Sequence, residues 1–464
     1  QYSYEKDYLS EFSDQGEALD KLETGTDLAV LKTGDESVYR YDQMGTHSYE
    51  NSSMQTGTNG TSYYFSVASG DITNFFNEVD LNTPWDYHYE NLDSRTILDR
   101  LAAVKYFVVK AGEEEYLPYG YDTLAAEVEK NDKLYRAYEC KNALPIGYTY
   151  DSYIPEEKYA KMSTVEKQQA LLQGVILSNS TVPETTSEFN DREVPYKLVT
   201  GSGCREKDGK LIVTKENAQA KLVFDGLDEC ETYLITEGVD YEALSPRELI
   251  SDKKWSKMTL YEQKKIQYEN STWRYWKESQ KAYIDVTGQF LDKTISIFTD
   301  KYNAYSGRSD FLCNTGYSVK GKKSITLTFE NTGVYSYKNM KVVCQPIENI
   351  ESQTTKLGAE SLENVEIKNH ELTGNISVSK DKVLVISLPY SKGFQAYVDG
   401  QKTELKQANT MYMALELKKG AHEIRLTYCT PYLKAGLILT CAGVLCYICV
   451  VLAYKKKRGK KKHG

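Results

Sequence analysis

The chain has 464 residues, of which 40% are hydrophobic and 27% are charged, a composition that indicates two or three globular domains and excludes a disordered tail or a small disulfide-rich scaffold. Tyrosine dominates the aromatic residues, with 39 Tyr against 12 Phe and 4 Trp, which suits half-buried sheet faces and polar recognition surfaces. Residues 455–464 hold seven of the 57 basic residues, so the rest of the chain sets 50 basic against 66 acidic residues, a charge of −16 that argues against nucleic-acid binding.

Residues 1–190 mix the patterns of helices and strands. Helices are predicted over three segments and a strand over a fourth: Asp14–Leu22, Asp71–Val79, Thr96–Ala103 and Val104–Val109. Ser163 and Glu166 have the spacing of a capping box, which predicts the start of a helix that ends at Gly174. We therefore expect residues 1–190 to form an α+β domain.

Residues 191–429 have the pattern of short strands separated by turns. Asp208-Gly209 and Asp225-Gly226 are turn pairs beside apolar runs. Strands are predicted over six segments: Lys210–Val213, Lys221–Phe224, Ser324–Phe329, Lys341–Cys344, Lys382–Leu388 and Glu423–Tyr428. Short strands at this spacing favour a mainly-β region with one or two β-sandwich domains.

A helical insert at about residues 246–285 interrupts these strands. Thr259 and Glu262 form a second capping box, and residues 246–281 contain nine Lys or Arg against five Asp or Glu. Three of the four tryptophans lie here: Trp255, Trp273 and Trp276. Because Trp and Lys favour the headgroup region of a bilayer, they are candidates for a membrane or anionic-polymer surface. The alternative is a helical hairpin that caps a sheet domain and packs two of its tryptophans on the core.

A hydrophobic segment near the C-terminus is predicted to cross a membrane. Ala435–Tyr454 contains no Asp, Glu, Lys or Arg, and its 20 residues can span a hydrocarbon core of about 30 Å. The basic residues that follow argue against a buried core helix, and Thr430–Lys434 does not match the Leu-Pro-x-Thr-Gly motif of a sortase signal. We assign residues 430–454 to a transmembrane helix and residues 455–464 to a cytoplasmic tail, since the positive-inside rule places the preceding bulk outside.

The beginning of the chain indicates that it is the end of a longer protein. It starts Gln-Tyr-Ser-Tyr-Glu-Lys, without an initiator Met, an apolar signal region or a small-residue cleavage site. A large domain outside the cytoplasm needs an export signal upstream. We therefore expect either a signal peptide that was removed or earlier membrane helices that are missing.

Residue types that carry catalysis or bind metals give no site in this sequence. The six Cys outside the predicted span allow 15 pairings, and both free thiols and disulfides remain open. The five His are scattered and lack metal-ligand spacing. The sequence has no Walker loop, Gly-x-Ser-x-Gly elbow or His-Glu-x-x-His motif, so we predict no catalytic residue, no metal site and no cofactor.

Several segments resemble the bacterial YfhO family of multi-spanning membrane proteins. Near the C-terminus, the similar segments are Leu388-Pro-Tyr-Ser-Lys-Gly-Phe-Gln-Ala-Tyr-Val-Asp-Gly400 and Lys419–Tyr428, which precede the terminal span. Three upstream segments fit the same pattern: Asn59–Ser66, Leu98–Val108 and Tyr138–Gly147. From the residues alone, Asp399-Gly400 is predicted to be a hairpin turn and Gly420 to begin the final strand.

The resemblance implies a glycosyltransferase similar to GT-C enzymes, with many membrane helices, a large extracytoplasmic domain and often a last helix. It implies sugar transfer from a polyprenyl-phosphate donor to lipoteichoic acid or another envelope polymer. The catalytic carboxylate of such enzymes lies in an early loop that is absent here. We therefore expect a non-catalytic accessory domain that positions the acceptor. Its implied partners are the bilayer, the missing membrane helices, an envelope glycopolymer and the polyprenyl-phosphate sugar.

Aromatic residues in two predicted loops are candidate glycan contacts: Tyr63, Tyr64, Trp85, Tyr87 and His88. These loops are rich in Gly, Asn and Asp, where aromatic side chains are less needed for a core. The alternative hypothesis is a single-span surface adhesin or carbohydrate-binding protein without catalysis. The coding sequence upstream of Gln1 distinguishes the two, because only the transferase requires many further spans.

Overall fold

The computed structural model describes most of the chain, over residues 23–44, 51–81, 87–89, 91–273, 281–288, 292–300, 302 and 305–460. Antiparallel sheets predominate in this part of the protein, and a long apolar helix follows them. The predicted mixed N-terminal part, mainly-β region, helical insert and terminal helix are thus confirmed. The helix predicted over Asp14–Leu22 lies outside the described residues.

The first part of the chain combines short helices with short strands. Its helices are α1 Gly25–Leu31, α2 Ser52–Thr56, α3 Gly70–Glu78, α4 Thr96–Leu101, α5 Glu156–Tyr159 and α6 Thr164–Ala170. Its strands are β1 Arg40–Gln43, β2 Tyr63–Tyr64, β3 His88–Tyr89, β4 Val104–Lys110, β5 Tyr121–Lys130, β6 Lys133–Cys140, β7 Gly147–Tyr150, β8 Tyr153–Pro155 and β9 Val175–Leu177. Strands β1, β4, β6 and β5 form one sheet in that order, in which only the β1–β4 pair is parallel.

Helix starts in this part are capped by side chains, including the predicted capping box at Ser163. The hydroxyl of Ser163 accepts a hydrogen bond from the backbone N–H of Glu166, whose carboxylate accepts one from the N–H of Ser163 in return. Helix α3 begins behind Ser69, whose side chain caps the N–H of Asp71. Both caps satisfy donors that a helix start would otherwise leave unpaired.

The middle part contains three antiparallel sheets. Its strands are β10 Arg192–Val194, β11 Tyr196–Thr200, β12 Cys204–Lys207, β13 Lys210–Val213, β14 Ala218–Phe224, β15 Cys230–Glu237, β16 Asp240–Ala243, β17 Lys281–Thr287, β18 Asp292–Phe298, β19 Phe311–Ser318, β20 Ser324–Phe329, β21 Gly333–Ser336 and β22 Asn339–Pro346. The strand orders are β10-β22-β15-β19, β11-β14-β20-β17-β18 and β12-β13-β21-β16. One core cluster joins side chains from all three sheets, including Leu222, Leu234 and Tyr335.

The helical insert lies between β16 and β17. It contains α7 Asp252–Trp255 and α8 Leu260–Trp273. The predicted capping box is present, because Thr259 Oγ1 accepts from the N–H of Glu262 and the Glu262 carboxylate accepts from the N–H of Thr259. None of the residues of α8 is buried.

The last part contains two further sheets and the terminal helix. Its elements are α9 Ile350–Gly358, β23 Glu363–Lys368, β24 Glu371–Val378, β25 Lys382–Pro389, β26 Phe394–Val398, β27 Gln401–Thr403, β28 Lys406–Ala408, β29 Tyr412–Leu417, β30 Gly420–Tyr428 and α10 Leu433–Lys460. The strand orders are β23-β24-β30-β26-β27 and β28-β29-β25-β7. The turn between β26 and β27 is formed by Asp399 and Gly400, both with positive φ (52° and 75°), which confirms the predicted hairpin.

Strand β7 ties the first part of the chain to the last. It pairs with β25 in an antiparallel register, from Gly147 opposite Ile386 to Tyr150 opposite Val383. The β25 side chains alternate between two cores: Val383 packs with the first part, whereas Ile386 packs between the two C-terminal sheets. Lys382 adds an ion pair with Asp151 (3.1 Å) just after β7.

A buried polar segment holds α4 against the middle part. The guanidinium of Arg95 donates to Asp93 (3.1 Å) and to two backbone carbonyls after α3. The N–H and hydroxyl of Thr96 both donate to one carboxylate oxygen of Glu231 on β15, at 2.9 and 2.6 Å. Buried polar groups without hydrogen-bond partners destabilise a fold. These bonds therefore help the apolar packing to hold α4 in one position against β15.

Helix α10 has the dimensions and exposure of a membrane span. Over Leu433–Lys455, 23 residues, the mean hydropathy reaches 2.5 and no part is buried within the protein. Leu439 and Ile438 are 72% and 69% exposed. An apolar helix whose surface is not covered by the rest of the chain is suited to a lipid environment, as predicted from the sequence.

Candidate functional site

Four of the five predicted glycan-contact residues lie together on a two-stranded ribbon. Strand β2 pairs antiparallel with β3, placing Tyr63 opposite Tyr89 and Tyr64 opposite His88. Tyr87 continues the ribbon, where its carbonyl accepts from the N–H of Phe65 (3.0 Å). We call the segments 63–65 and 87–89 the aromatic ribbon. Trp85 lies outside the described residues.

The rings of the aromatic ribbon differ in exposure. Tyr89 is buried, with its ring 4.8 Å from that of Tyr63 and 4.8 Å from that of Phe76 on α3. Tyr64 and Tyr87 are 47% and 39% exposed, and their rings meet edge to face at 5.5 Å. The inner rings therefore anchor the ribbon, and the outer rings are available for contact.

The side chain of Asn51 holds the backbone of Tyr64 in place. The amide of Asn51 donates to the carbonyl of Tyr64 (3.0 Å) and accepts from its N–H (3.1 Å). Phe65, which the sequence prediction did not include, is 55% exposed beside them. An exposed group of fixed rings can stack on the apolar face of a sugar or on another flat ligand at little entropic cost.

His88 is placed differently from its neighbours. Only 9% of it is exposed, so it supports the ribbon from within. Burial raises the pKa of Tyr63 above its ordinary value, with the nearby Tyr89 adding to the shift. The hydroxyl of Tyr63 therefore remains uncharged near neutral pH.

The tryptophans of the insert are partly engaged by the protein itself. Trp273 packs against the core of the middle part. Trp255 lies under the guanidinium of Arg247, 4.4 Å from the ring centre, and Trp276 lies outside the described residues. The exposed apolar residues of α8 are different ones, Leu260, Tyr261 and Tyr268, at 72%, 79% and 71%.

A second concave surface was not predicted from the sequence. It is a cleft of about 940 Å³ between the first and middle parts, and it is also lined by Glu351 of α9 from the last part. Its lining includes aromatic and polar side chains from five separate segments: Arg100, Tyr119, Tyr138, Asn142, Tyr317 and Glu351. Only the excess of tyrosine in the composition could have suggested it, because no two of these segments are adjacent in the sequence.

Metal-binding geometry is absent from the described residues. No group of three or more His, Cys, Asp or Glu lies close enough to hold a metal ion there. The predicted lack of a metal site or cofactor stays a prediction for the whole chain.

Comparison with known proteins identifies the family. The family described as "Bacterial membrane protein YfhO" matches residues 1–440. The Uncharacterized protein YfhO of Bacillus subtilis (strain 168) is 22% identical over 434 residues, which cover 93% of this chain and 45% of that protein. This chain thus spans less than half the length of that curated relative.

The chain also has a weak similarity to one solved glycosyltransferase structure. The arabinofuranosyltransferase AftD from Mycobacteria aligns with 33% of this chain and 13% of its own, at 12% identity and a TM-score of 0.14. The family match, by contrast, extends over nearly the whole chain and includes all the segments quoted above. Together with the apolar helix α10, it shows that the chain belongs to the YfhO family of bacterial membrane proteins.

Proposed function

We propose that this chain is the extracytoplasmic accessory domain and last membrane helix of an envelope glycosyltransferase. In this proposal the intact protein transfers a sugar from a polyprenyl-phosphate donor to lipoteichoic acid or another envelope polymer. Support comes from membership of the YfhO family and from the resemblance of that family to GT-C enzymes. The short span of the chain relative to its curated relative is consistent with catalysis elsewhere in a longer protein.

The proposed topology follows from charge. The residues after Tyr454 are rich in Lys and Arg, whereas the chain before the helix is acidic. Basic residues next to a span favour the cytoplasmic side. The sheets would then lie outside the cytoplasm, where an envelope polymer is accessible.

The aromatic ribbon is the proposed acceptor contact. The observation that carries this assignment is the pair of exposed rings of Tyr64 and Tyr87, held in edge contact by a ribbon whose inner rings are buried. Trp85 lies between the described parts of the ribbon in sequence and belongs to the same proposal. The ribbon would position a sugar polymer by stacking, while the reaction takes place in the membrane part.

The helical insert between β16 and β17 is proposed as a second contact, with an anionic polymer or with lipid headgroups. Exposed lysines of α7, α8 and the turn between them support it: Lys253, Lys254, Lys257, Lys264 and Lys265. The exposed Leu260, Tyr261 and Tyr268 would accompany them. In this assignment Trp255 and Trp273 shape the insert, since both already contact the protein.

The decisive experiment measures glycan transfer by the intact protein in membranes. Replacing both outer rings, Tyr64→Ala with Tyr87→Ala, should lower transfer at least ten-fold, because stacking contacts with the acceptor are lost. The conservative pair Tyr64→Phe with Tyr87→Phe should retain most transfer. Tyr305→Ala, at a residue of matching exposure (49%), is the control and should leave transfer unchanged. Unaltered transfer by the Ala pair, at normal protein levels, would refute the contact.

A further inference from the structure

The cleft between the first and middle parts has the size of a ligand site. Its volume of about 940 Å³ is at the upper end of the range for small-ligand pockets, roughly 300–1,000 Å³. It lies apart from the aromatic ribbon, since the two share no lining residue.

One wall of the cleft is aromatic. The rings of Tyr119 and Tyr317 are 5.2 Å apart and tilted by 58°, and both are half-buried. Among the described residues, neither hydroxyl has a hydrogen-bond partner, so both can bond to a ligand. Tyr138 is a third, half-buried ring in the lining. Such a wall offers flat apolar faces with hydroxyls at their edges.

A chain of polar side chains lies beside this wall, with the guanidinium of Arg100 5.6 Å from the ring centre of Tyr119. Glu351 accepts a hydrogen bond from Arg100 on one carboxylate oxygen (2.5 Å) and from the amide of Asn142 on the other. Arg100 is itself fully buried and also donates to Thr354 (3.2 Å). Its Nε is buried with no partner among the described residues. The carboxylate is therefore held in one orientation, while its remaining lone pairs can accept from a ligand.

The backbone beside Tyr119 is shaped to hold this arrangement. Gly120 has φ of +88°, and a Cβ at this position would lie 2.3 Å from the Nη2 atom of Arg100. Only glycine allows the loop to approach the guanidinium so closely. The N–H of Tyr119 donates to the hydroxyl of Thr96 (3.1 Å), which fixes the loop on its other side.

The charges around the cleft disfavour an anionic ligand. Three basic and four acidic residues line it: Arg100, Lys141, Lys320, Glu114, Glu115, Asp122 and Glu351. Two of the three cations are already paired, Arg100 with Glu351 and Lys320 with Asp228 (3.2 Å). A phosphate polymer would find few unpaired cations there, whereas an uncharged ligand rich in hydroxyls would meet both donors and acceptors.

We infer that this cleft binds an uncharged oligosaccharide, with sugar rings stacked on Tyr119 and Tyr317 and hydroxyls bonded to Glu351 and Asn142. The inference rests on the proposed function in its choice of a sugar as the ligand class. It goes further in naming a second site and in predicting neutral sugars over anionic polymer. A glycosyltransferase with such a cleft could hold a sugar chain at a distance from the ribbon.

The test measures binding without transfer. The full chain, in micelles of a detergent without a sugar headgroup, is titrated calorimetrically with maltotriose, cellotriose, chitotriose and a glycerol phosphate oligomer. At least one trisaccharide should bind. Tyr119→Ala and Tyr317→Ala should weaken that binding at least ten-fold, and Tyr317→Phe should keep most of it. Val319→Trp, at an exposed lining residue, should abolish binding by filling the cleft.

Two controls make the outcome decisive. Thermal unfolding of each variant must match the wild type, which excludes loss of the fold. Tyr305→Ala, at an exposed tyrosine outside both the cleft and the ribbon, should bind the trisaccharide as tightly as wild type. The inference is wrong if no trisaccharide binds, if only the glycerol phosphate oligomer binds, or if Val319→Trp binds normally. Because transfer is not measured, a failed transferase assay leaves this result unaffected, and a failed titration leaves the ribbon proposal standing.

Discussion

Asp42 and Asp99 are buried carboxyl groups that lie close enough in the interior of the protein for the charge of one to act on the other, and neither oxygen of Asp99 has a hydrogen-bond partner among the described residues. Asp42 also accepts from the N–H of Leu92 (3.0 Å) and the hydroxyl of Thr61 (2.8 Å). A buried carboxylate is disfavoured beside a second one, so one of the two groups keeps its proton. Asp99 retains it, because burial and then the charge of Asp42 raise its pKa well above the ordinary value.

This relationship predicts that Asp99→Asn becomes more stabilising as the pH rises. In the unfolded chain Asp99 ionises near its ordinary pKa of 3.8, whereas the folded protein holds the proton to a higher pH. The wild type should therefore lose unfolding free energy above about pH 4, by up to about 1.4 kcal/mol per pH unit from this group. Denaturant unfolding of the full chain from pH 4 to pH 7 measures the difference. A difference independent of pH would contradict the assignment.

The partner variant Asp42→Asn serves as the matched control. An amide at position 42 would face the N–H of Leu92 and lose part of its acceptor capacity. We expect destabilisation by about 1–3 kcal/mol, the cost of leaving a buried group unsatisfied. Asp42→Asn should lower the unfolding free energy at every pH from 4 to 7, whereas the effect of Asp99→Asn should change with pH.

Arg95→Ala should destabilise the protein severely. Arg95 is fully buried and paired with Asp93, which also binds Lys293 (2.8 Å). Removing the guanidinium leaves two backbone carbonyls without their donor. It also leaves the buried carboxylate of Asp93 with Lys293 as its remaining cationic partner. The expected loss is about 3–5 kcal/mol of unfolding free energy, measured as a shift in the denaturation midpoint.

Arg136→Ala is the comparison for Arg95→Ala. Arg136 also pairs with two carboxylates, those of Glu114 (2.5 Å) and Glu127 (3.3 Å), but at the surface of β6. Water screens such pairs, so the midpoint should remain close to that of the wild type. Equal losses for the two Arg variants would show that burial does not govern these ion pairs.

The pKa of His422 should fall when Asp399 is replaced by Asn. Burial alone lowers the pKa of His422, but hydrogen bonds to Asp399 (2.8 Å) and to the carbonyl of Lys418 (2.7 Å) outweigh it and raise the value. The protonated ring stabilises the fold below the unfolded pKa of 6.5, and this contribution is lost as the pH rises through the folded pKa.

Asp399→Asn is suited to this test because Asn tolerates the positive φ of 52° at the turn. The titration of the His422 ring by NMR should shift to lower pH in the variant. The stability gained on acidification from pH 8 to pH 6 should shrink with it. An unchanged titration would mean that the Lys418 carbonyl alone sets the pKa.

Gly147→Ala should disturb the joint between the first and last parts. A Cβ on Gly147 would lie 2.7 Å from the Cβ of Leu362, a buried residue of the last part. Overpacking of this kind costs about 1–3 kcal/mol, seen as a lower thermal midpoint. Gly70→Ala, at the first residue of α3 with open space around it, should be neutral or stabilising. A neutral Gly147→Ala would show that the two parts can separate slightly.

The features predicted correctly from the sequence were those set by neighbouring residues. The capping boxes at Ser163 and Thr259, the Asp399-Gly400 turn and the apolar span each depend on a few consecutive side chains. The positions of Tyr64 and Tyr87 were predicted as separate loops, but their pairing was not, because strands of two residues carry no periodicity. Phe65 was missed for the same reason.

The cleft could not be predicted because its walls meet only in three dimensions. Tyr119 and Tyr317 contact each other across nearly the whole middle part of the chain. A fully buried Arg100 also has no sequence signature, since arginine is usually exposed. Long-range pairing of this kind is decided by the packing of complete sheets.

Strand β7 also determines how the protein can be divided. A fragment that begins at residue 191 would lack it and leave the Val383–Ile386 stretch of β25 as an open sheet edge, a template for aggregation. During synthesis, Thr149 emerges 233 residues before Lys382. The sheet that contains β25 and β7 therefore cannot complete its fold until the chain is almost finished.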